Sequence, residues 1–202
     1  ADIHSYCMWL MPWLLLYRPR SWKTSVFLAV IAFLCIMTEV QAVIFLALIP
    51  FRLRTRFRMS WPLLGALVVG AAWQLATTVL SPRPSTTQWY GLWAVVKGWL
   101  VNSVLPLITP APDRQLALLN STGVLIPALL ALVLGIAVGY LLWRGGGEQR
   151  LLTVTLLLAS AAIYGGGAVA DGSPVFNYSA PSDEWIWLLN SRYGVSSGLM
   201  LA

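Results

Sequence analysis

Arg18-Pro19-Arg20-Ser21-Trp22-Lys23 leads into an apolar run from Thr24 to Pro50. Thr38-Glu39-Val40-Gln41 interrupts that run, and Arg52, Arg54, Arg56 and Arg58 close it. As one straight helix these 27 residues would rise about 40 Å, more than the roughly 30 Å of a hydrocarbon core. They would also set three basic residues on one side of a bilayer and four on the other, against the tendency of basic loops to stay cytoplasmic. A helical hairpin resolves both difficulties, with Thr24–Met37 rising and Val40–Pro50 descending around Thr38-Glu39. Each arm then reaches only about 15–20 Å. A single tilted span is the competing reading.

The rest of the chain sits in the same solvent. Of 202 residues, 58% are hydrophobic and 10% charged, and the mean hydropathy is +0.75. A soluble domain carries roughly 25% charged residues, so too little polar surface is left here to cover a water-facing exterior. The same numbers exclude disorder, a coiled coil and a disulfide framework. The fold class expected is all-α, a polytopic transmembrane helical bundle with a short helical hairpin and an interfacial helix.

Apolar segments fall at 5–17, 24–37, 40–50, 61–80, 89–108, 116–143, 151–170 and 194–202. They form a single transmembrane domain over 1–202. The chain opens on Ala1, and its last apolar run is too short to span, which reads as a piece of a longer protein. Segment 89–108 is read as interfacial, because Trp89, Tyr90, Trp93 and Trp99 suit a half-wet layer and Lys97 and Asn102 are costly at mid-bilayer. If it spans instead, every later segment inverts. With the hairpin, the turns at 18–23, 52–58 and 144–150 are cytoplasmic. They hold nine basic residues against Glu148, while the outer side holds four basic residues. That is the expected bias for a cell membrane, multi-pass and bacterial by the plainest guess.

Few residues carry chemistry. Cys7 and Cys35 read as small buried hydrophobes. Two thiols and one histidine give no metal-ligand spacing, so no cofactor is evident and nothing points to a divalent metal. The +6 charge has no soluble basic domain to serve, which argues against nucleic acid. Glu39 is the one acid inside an apolar stretch, where a carboxylate must be paired, protonated or wet. It serves either as a binding or proton-relay group or, following Thr38, as a charge in the first turn of the second arm. His4 is a further candidate beside the first helix. The 171–192 loop carries Asp171, Asp183 and Glu184 with Trp185 and Trp187, a set able to hold a sugar or headgroup, or else an interfacial belt. Arg192-Tyr193 opens the last span, and a guanidinium there binds phosphate in a bidentate way or snorkels. Gly145–Gly147 reads as a turn, and Gly165–Gly167 as a helix end or a close-packing site.

The 18–58 segment resembles the polytopic glycosyltransferases of the GT-C type. The likeness rests on the basic stretch Arg18 to Lys23, the break Thr38-Glu39-Val40-Gln41, and Pro50 followed by Arg52–Arg58. Arg192-Tyr193 opening a late span is similar too. The break lacks the Arg-Pro pair of that family. The resemblance implies an enzyme that moves sugar from a polyprenyl-phosphate donor at the outer face of the cell envelope. On that reading Arg192 meets the phosphate, and one of Asp171, Asp183 or Glu184 assists the acceptor hydroxyl. Glu39, Arg192, Tyr193 and His4 are the substrate-binding candidates, and membrane lipid and the lipid-linked sugar are the partners. Two other classes fit the sequence: a lipid or solute transporter using Glu39 as a coupling acid, and a non-catalytic membrane assembly subunit. A transporter favours paired broken helices, and one break is visible.

Overall fold

The computed structural model describes residues 3–38, 40–49, 57–80, 90–171, 176–178, 185, 189 and 192–202. Among them all regular structure is helical. The chain divides into two compact units, Ala1–Pro84 and Ser85–Ala202. Three helices have the length and apolar composition of membrane spans: Met59–Leu80, Leu125–Arg144 and Gly147–Val169.

The first unit holds α1 (Ile3–Leu16), α2 (Trp22–Thr38), a 3-10 segment (Val40–Leu48) and α3 (Phe57–Leu80). Ser21 starts α2: its Oγ accepts the Thr24 N–H at 3.2 Å, the bond that satisfies an otherwise orphaned donor in the first turn. The far end of α2 is closed from three directions. Thr38 Oγ1 donates to the Cys35 carbonyl at 2.7 Å, and Gln74 Nε2 of α3 donates to the Met37 carbonyl at 2.6 Å. His4 Nδ1 of α1 donates to the Thr38 carbonyl at 3.0 Å. Terminal carbonyls that a lipid environment would leave bare therefore have partners.

These bonds also fix direction. Ser25 Oγ, near the start of α2, donates to the Met59 carbonyl near the start of α3 at 2.5 Å. Gly70, farther along α3, lies against Phe33 and Ile36, and Gln74 meets Met37 near the end of α2. Both helices thus run the same way, side by side. Between Thr38 and Phe57 the chain comes back by the length of α2, about 25 Å for 17 residues. The 3-10 segment packs against α1, α2 and α3. Its buried residues are Ala42, Phe45 and Leu48, spaced by three, which is the repeat of a helix with three residues per turn.

The contact face of α2 differs from the rest of this unit, whose interior holds large side chains such as Met11, Leu15, Phe45 and Leu67. The inward stripe of α2 is mostly small, with Ser25, Ala29, Ala32 and Cys35 followed by Ile36, whereas Phe27, Val30 and Leu34 face outward. Small residues at helix contacts and large apolar ones outside are the pattern of packing in lipid, where close backbone approach replaces hydrophobic burial.

The second unit starts with α4 (Leu92–Trp99), which continues through a π turn (Leu100–Val104) and a 3-10 turn (Leu105–Leu107). Pro106 in that 3-10 turn has no N–H to return to the Asn102 carbonyl, so the regular ladder cannot persist there. Then come α5 (Pro112–Thr122), α6 (Leu125–Arg144), α7 (Gly147–Asp171) and α8 (Arg192–Leu199). The apolar segment expected as one span over 116–143 is broken. Gly123 takes φ +57° and donates to the Leu119 carbonyl at 2.7 Å, a left-handed stop that glycine adopts at no steric cost. Pro127 then falls in the first turn of α6, where its missing N–H costs nothing. Gly165 and Gly166, read from sequence as a helix end or a packing site, lie inside α7, and a Cβ on either would meet no atom within 4 Å.

Candidate functional site: a buried polar cluster on the π turn of α4

The π turn puts five consecutive residues, Leu100 to Val104, inside the second unit. Asn102 is at its centre and is 1% exposed. Its amide donates to the Gly98 carbonyl at 3.1 Å, to the Tyr164 hydroxyl of α7 at 3.5 Å and, over the shortest contact, to the Tyr178 hydroxyl. An amide carries two protons, so three acceptors share two donors and the weight falls on Tyr178 and Gly98. π turns inserted in α-helices recur at functional sites, and a buried polar group is expensive unless satisfied. Asn102 is satisfied.

Glycines make room for the cluster. A Cβ at Gly98 would collide with the Tyr164 hydroxyl and lie 2.7 and 2.9 Å from ring carbons of Tyr178. Gly194 of α8 lies against the Asn102 side chain and carbonyl. One turn on, a Cβ at Gly198 would lie 3.0 Å from the Ser103 carbonyl. The spacing Gly194-x-x-x-Gly198 lets two backbones approach as closely as helices in membranes do.

A second polar chain lies alongside. Trp99 Nε1 donates to Ser160 Oγ at 3.0 Å, Ser160 Oγ and Ser197 Oγ are 2.8 Å apart, and Ser197 Oγ donates to the Ser160 carbonyl at 2.7 Å. Each hydroxyl proton has a destination if Ser160 donates to Ser197. Around both chains pack Ala94, Val101, Leu105, Leu119, Tyr178, Trp185 and Leu189, with Tyr164, Ala168 and Phe176 as a second group. Tyr178 and Trp185 meet edge to face at 5.3 Å, and Tyr164 meets Phe176 at 5.6 Å, geometries that aromatic quadrupoles favour. Burial pushes the Tyr178 phenol above its ordinary range, and its hydrogen bonds to Asn102 and Tyr164 pull the other way.

The residues singled out from sequence are only partly brought together. His4 serves the end of α2, as above. Glu39, Asp183, Glu184 and Trp187 lie outside the described residues. Asp171 is the last residue of α7, and Arg192 and Tyr193 are the first two of α8. Ser160 pairs with Ser197, while Tyr164 and Gly194 both reach Asn102, so α7 and α8 run antiparallel. That register puts Asp171 and Arg192 at the same end of the pair. Trp185 is a correction to the sequence reading: it is 5% exposed and packed on Tyr178, so it offers no open face for stacking a sugar. Among the described residues no three His, Cys, Asp or Glu side chains gather to hold a metal.

Asn102 enters the sequence reading only as a cost to membrane insertion. Its role depends on Tyr164 and Tyr178, which are 62 and 76 residues away, and no local pattern announces such a pairing. Gly98 and the Gly194/Gly198 spacing are the signals in the sequence that point toward it.

No protein-family model matches the chain, and neither a curated protein nor a solved structure matches it.

Proposed function

We propose that this is a multi-pass protein of the cell envelope that transfers sugar from a polyprenyl-phosphate donor at the outer face, as its resemblance to the GT-C glycosyltransferases implies. The observation that carries the reading is the shared direction of α2 and α3. It supports a helical hairpin after Thr38, with Arg18, Arg20 and Lys23 at the same end of the unit as the start of α3. In this topology α4 is the interfacial helix: Trp93 and Leu92 are exposed, and Lys97 Nζ sits 5.9 Å from the Trp93 ring, an arrangement suited to the headgroup layer.

The transfer needs a cation for the donor phosphate and an acid or base at the acceptor hydroxyl. Arg192 and Asp171, at one end of the α7–α8 pair, take these roles. The test is sugar transfer by the full-length protein in membranes supplied with a polyprenyl-phosphate sugar. Arg192→Ala abolishes transfer on this reading, and transfer left intact overturns it.

One observation favours a non-catalytic assembly subunit instead. Of the residues of α6, Pro127 is buried and a long apolar face, including Leu129, Leu132, Val133 and Ile136, is left exposed, a surface a second protein can cover. No sugar transfer by the purified wild-type protein, with loss of a stable larger complex when α6 is altered, is the result that selects this second reading.

A further inference from the structure

The turn between α6 and α7 carries two arginines held on one aromatic residue. Arg144 places its guanidinium carbon 4.5 Å from the centre of the Trp143 ring, within the range of cation–π attraction. Arg150 Nη2 donates to the Trp143 carbonyl at 3.0 Å. Neither of these two contacts is to a carboxylate, and a guanidinium has five N–H donors, so Trp143 alone saturates neither arginine. Trp143 is 70% exposed. It lies in the last turn of a 20-residue helix whose outward residues, among them Leu129, Leu132, Val133, Ile136 and Tyr140, are exposed, so that face is open to hydrocarbon. An indole at the end of such a helix belongs at the headgroup layer. The approach is clear: Cβ atoms added at Gly146 or Gly147 would meet nothing within 4 Å.

We propose that this turn binds the phosphate of an anionic membrane lipid, with Arg144 and Arg150 as its ligands and Trp143 as the platform that fixes them. The chemistry recognised is a phosphate oxyanion, which planar guanidinium groups match in a bidentate way. A lipid supplies it in preference to free phosphate, because the site lies at the mouth of a lipid-solvated helix and basic residues there attract anionic headgroups. This inference does not depend on the transferase reading.

The experiment follows thermal stabilisation of the full-length protein in neutral detergent. Dioleoyl-phosphatidylglycerol is titrated in, with dioleoyl-phosphatidylcholine and inorganic phosphate as the other arms. The half-saturating phosphatidylglycerol concentration rises about 5-fold for Arg144→Gln or Arg150→Gln and about 30-fold for both together, following the usual contribution of one basic residue near an anionic surface. Arg114→Gln, an exposed arginine on α5, leaves it unchanged. Because Arg150 also holds a helix end, the double lysine replacement is measured too, and it loses less than the double glutamine because both charges persist. Equal stabilisation by phosphatidylcholine overturns the proposal, as does a double glutamine protein titrating like wild type. Equal losses in the lysine and glutamine pairs assign the effect to the helix end and overturn it as well. If inorganic phosphate reproduces the shift, the site takes free phosphate and the lipid assignment falls.

Discussion

Replacing Gly98 by alanine asks directly whether the polar cluster is as close-packed as its geometry implies. The new methyl group would collide with the Tyr164 hydroxyl and stand 2.7 and 2.9 Å from Tyr178 ring carbons. Both tyrosines are buried and held by Asn102, so neither has an easy way out. Overpacking a filled site costs about 1–3 kcal/mol, and a displaced hydrogen bond about 1 kcal/mol more. Alanine returns up to about 1 kcal/mol through its better helix propensity. The net is a loss of about 1–3 kcal/mol, which for a chain of this size lowers the melting midpoint by about 2–4 °C per kcal/mol. Tryptophan fluorescence during heating of the detergent-solubilised protein reads it. The matched controls are Gly135→Ala and Gly139→Ala in α6, where a Cβ meets nothing within 4 Å and only the propensity gain acts. Adding Tyr164→Phe to Gly98→Ala removes the colliding oxygen and recovers part of the loss. A Gly98→Ala protein as stable as the two controls refutes the reasoning.

Further outcomes follow from the same cluster. Asn102→Leu and Tyr178→Phe, combined in a double-mutant cycle of thermal or denaturant midpoints, give a coupling of about 0.5–1.5 kcal/mol, the range of side-chain hydrogen bonds between membrane helices. Additive single effects contradict the Asn102–Tyr178 bond. Because burial raises the Tyr178 phenol above its ordinary value of 10.0, the stability it contributes is complete below pH 10 and is lost as pH rises further. Melting midpoints measured from pH 8 to 11.5 therefore fall more steeply in wild type than in Tyr178→Phe, and parallel curves for the two proteins contradict the shift. Leucine at Gln74 leaves the Met37 carbonyl without its 2.6 Å donor and lowers the midpoint of the first unit by the equivalent of about 1 kcal/mol. An unchanged midpoint shows that this end of α2 needs no help from α3.

The apolar blocks announce helices in lipid because nothing else accommodates so few charges. Their boundaries are less legible, since one residue can overrule hydropathy. The 116–143 block reads as a single span, yet Gly123 in a left-handed conformation ends α5 and starts a new helix two residues later. Hydropathy carries no information about φ. The direction of α3 relative to α2 is half legible: Arg-rich flanks ask for both starts on one side, while the contacts that fix it, Ser25 with Met59 and Gln74 with Met37, are 34 and 37 residues apart. The candidate site is the least legible part. Sequence reasoning turns to charged residues such as Asp171 and Arg192, whereas the groups brought together are a neutral amide, two phenols and two serines. In a low-dielectric interior such groups are satisfied without the large desolvation cost of an ion, which is why they can be buried where a carboxylate cannot.

A helical hairpin after Thr38 requires α2 and α3 to start at the same end of the first unit, as the Ser25–Met59 and Gln74–Met37 bonds have it. Cysteine placed singly at Lys23 and at Arg58, in a protein with Cys7 and Cys35 changed to alanine, reads it in intact cells or sealed vesicles with a membrane-impermeant thiol reagent. Both positions react from the same side if the chain returns after Thr38. Labelling of the two from opposite sides contradicts the shared direction of the helices, and the hairpin topology with it.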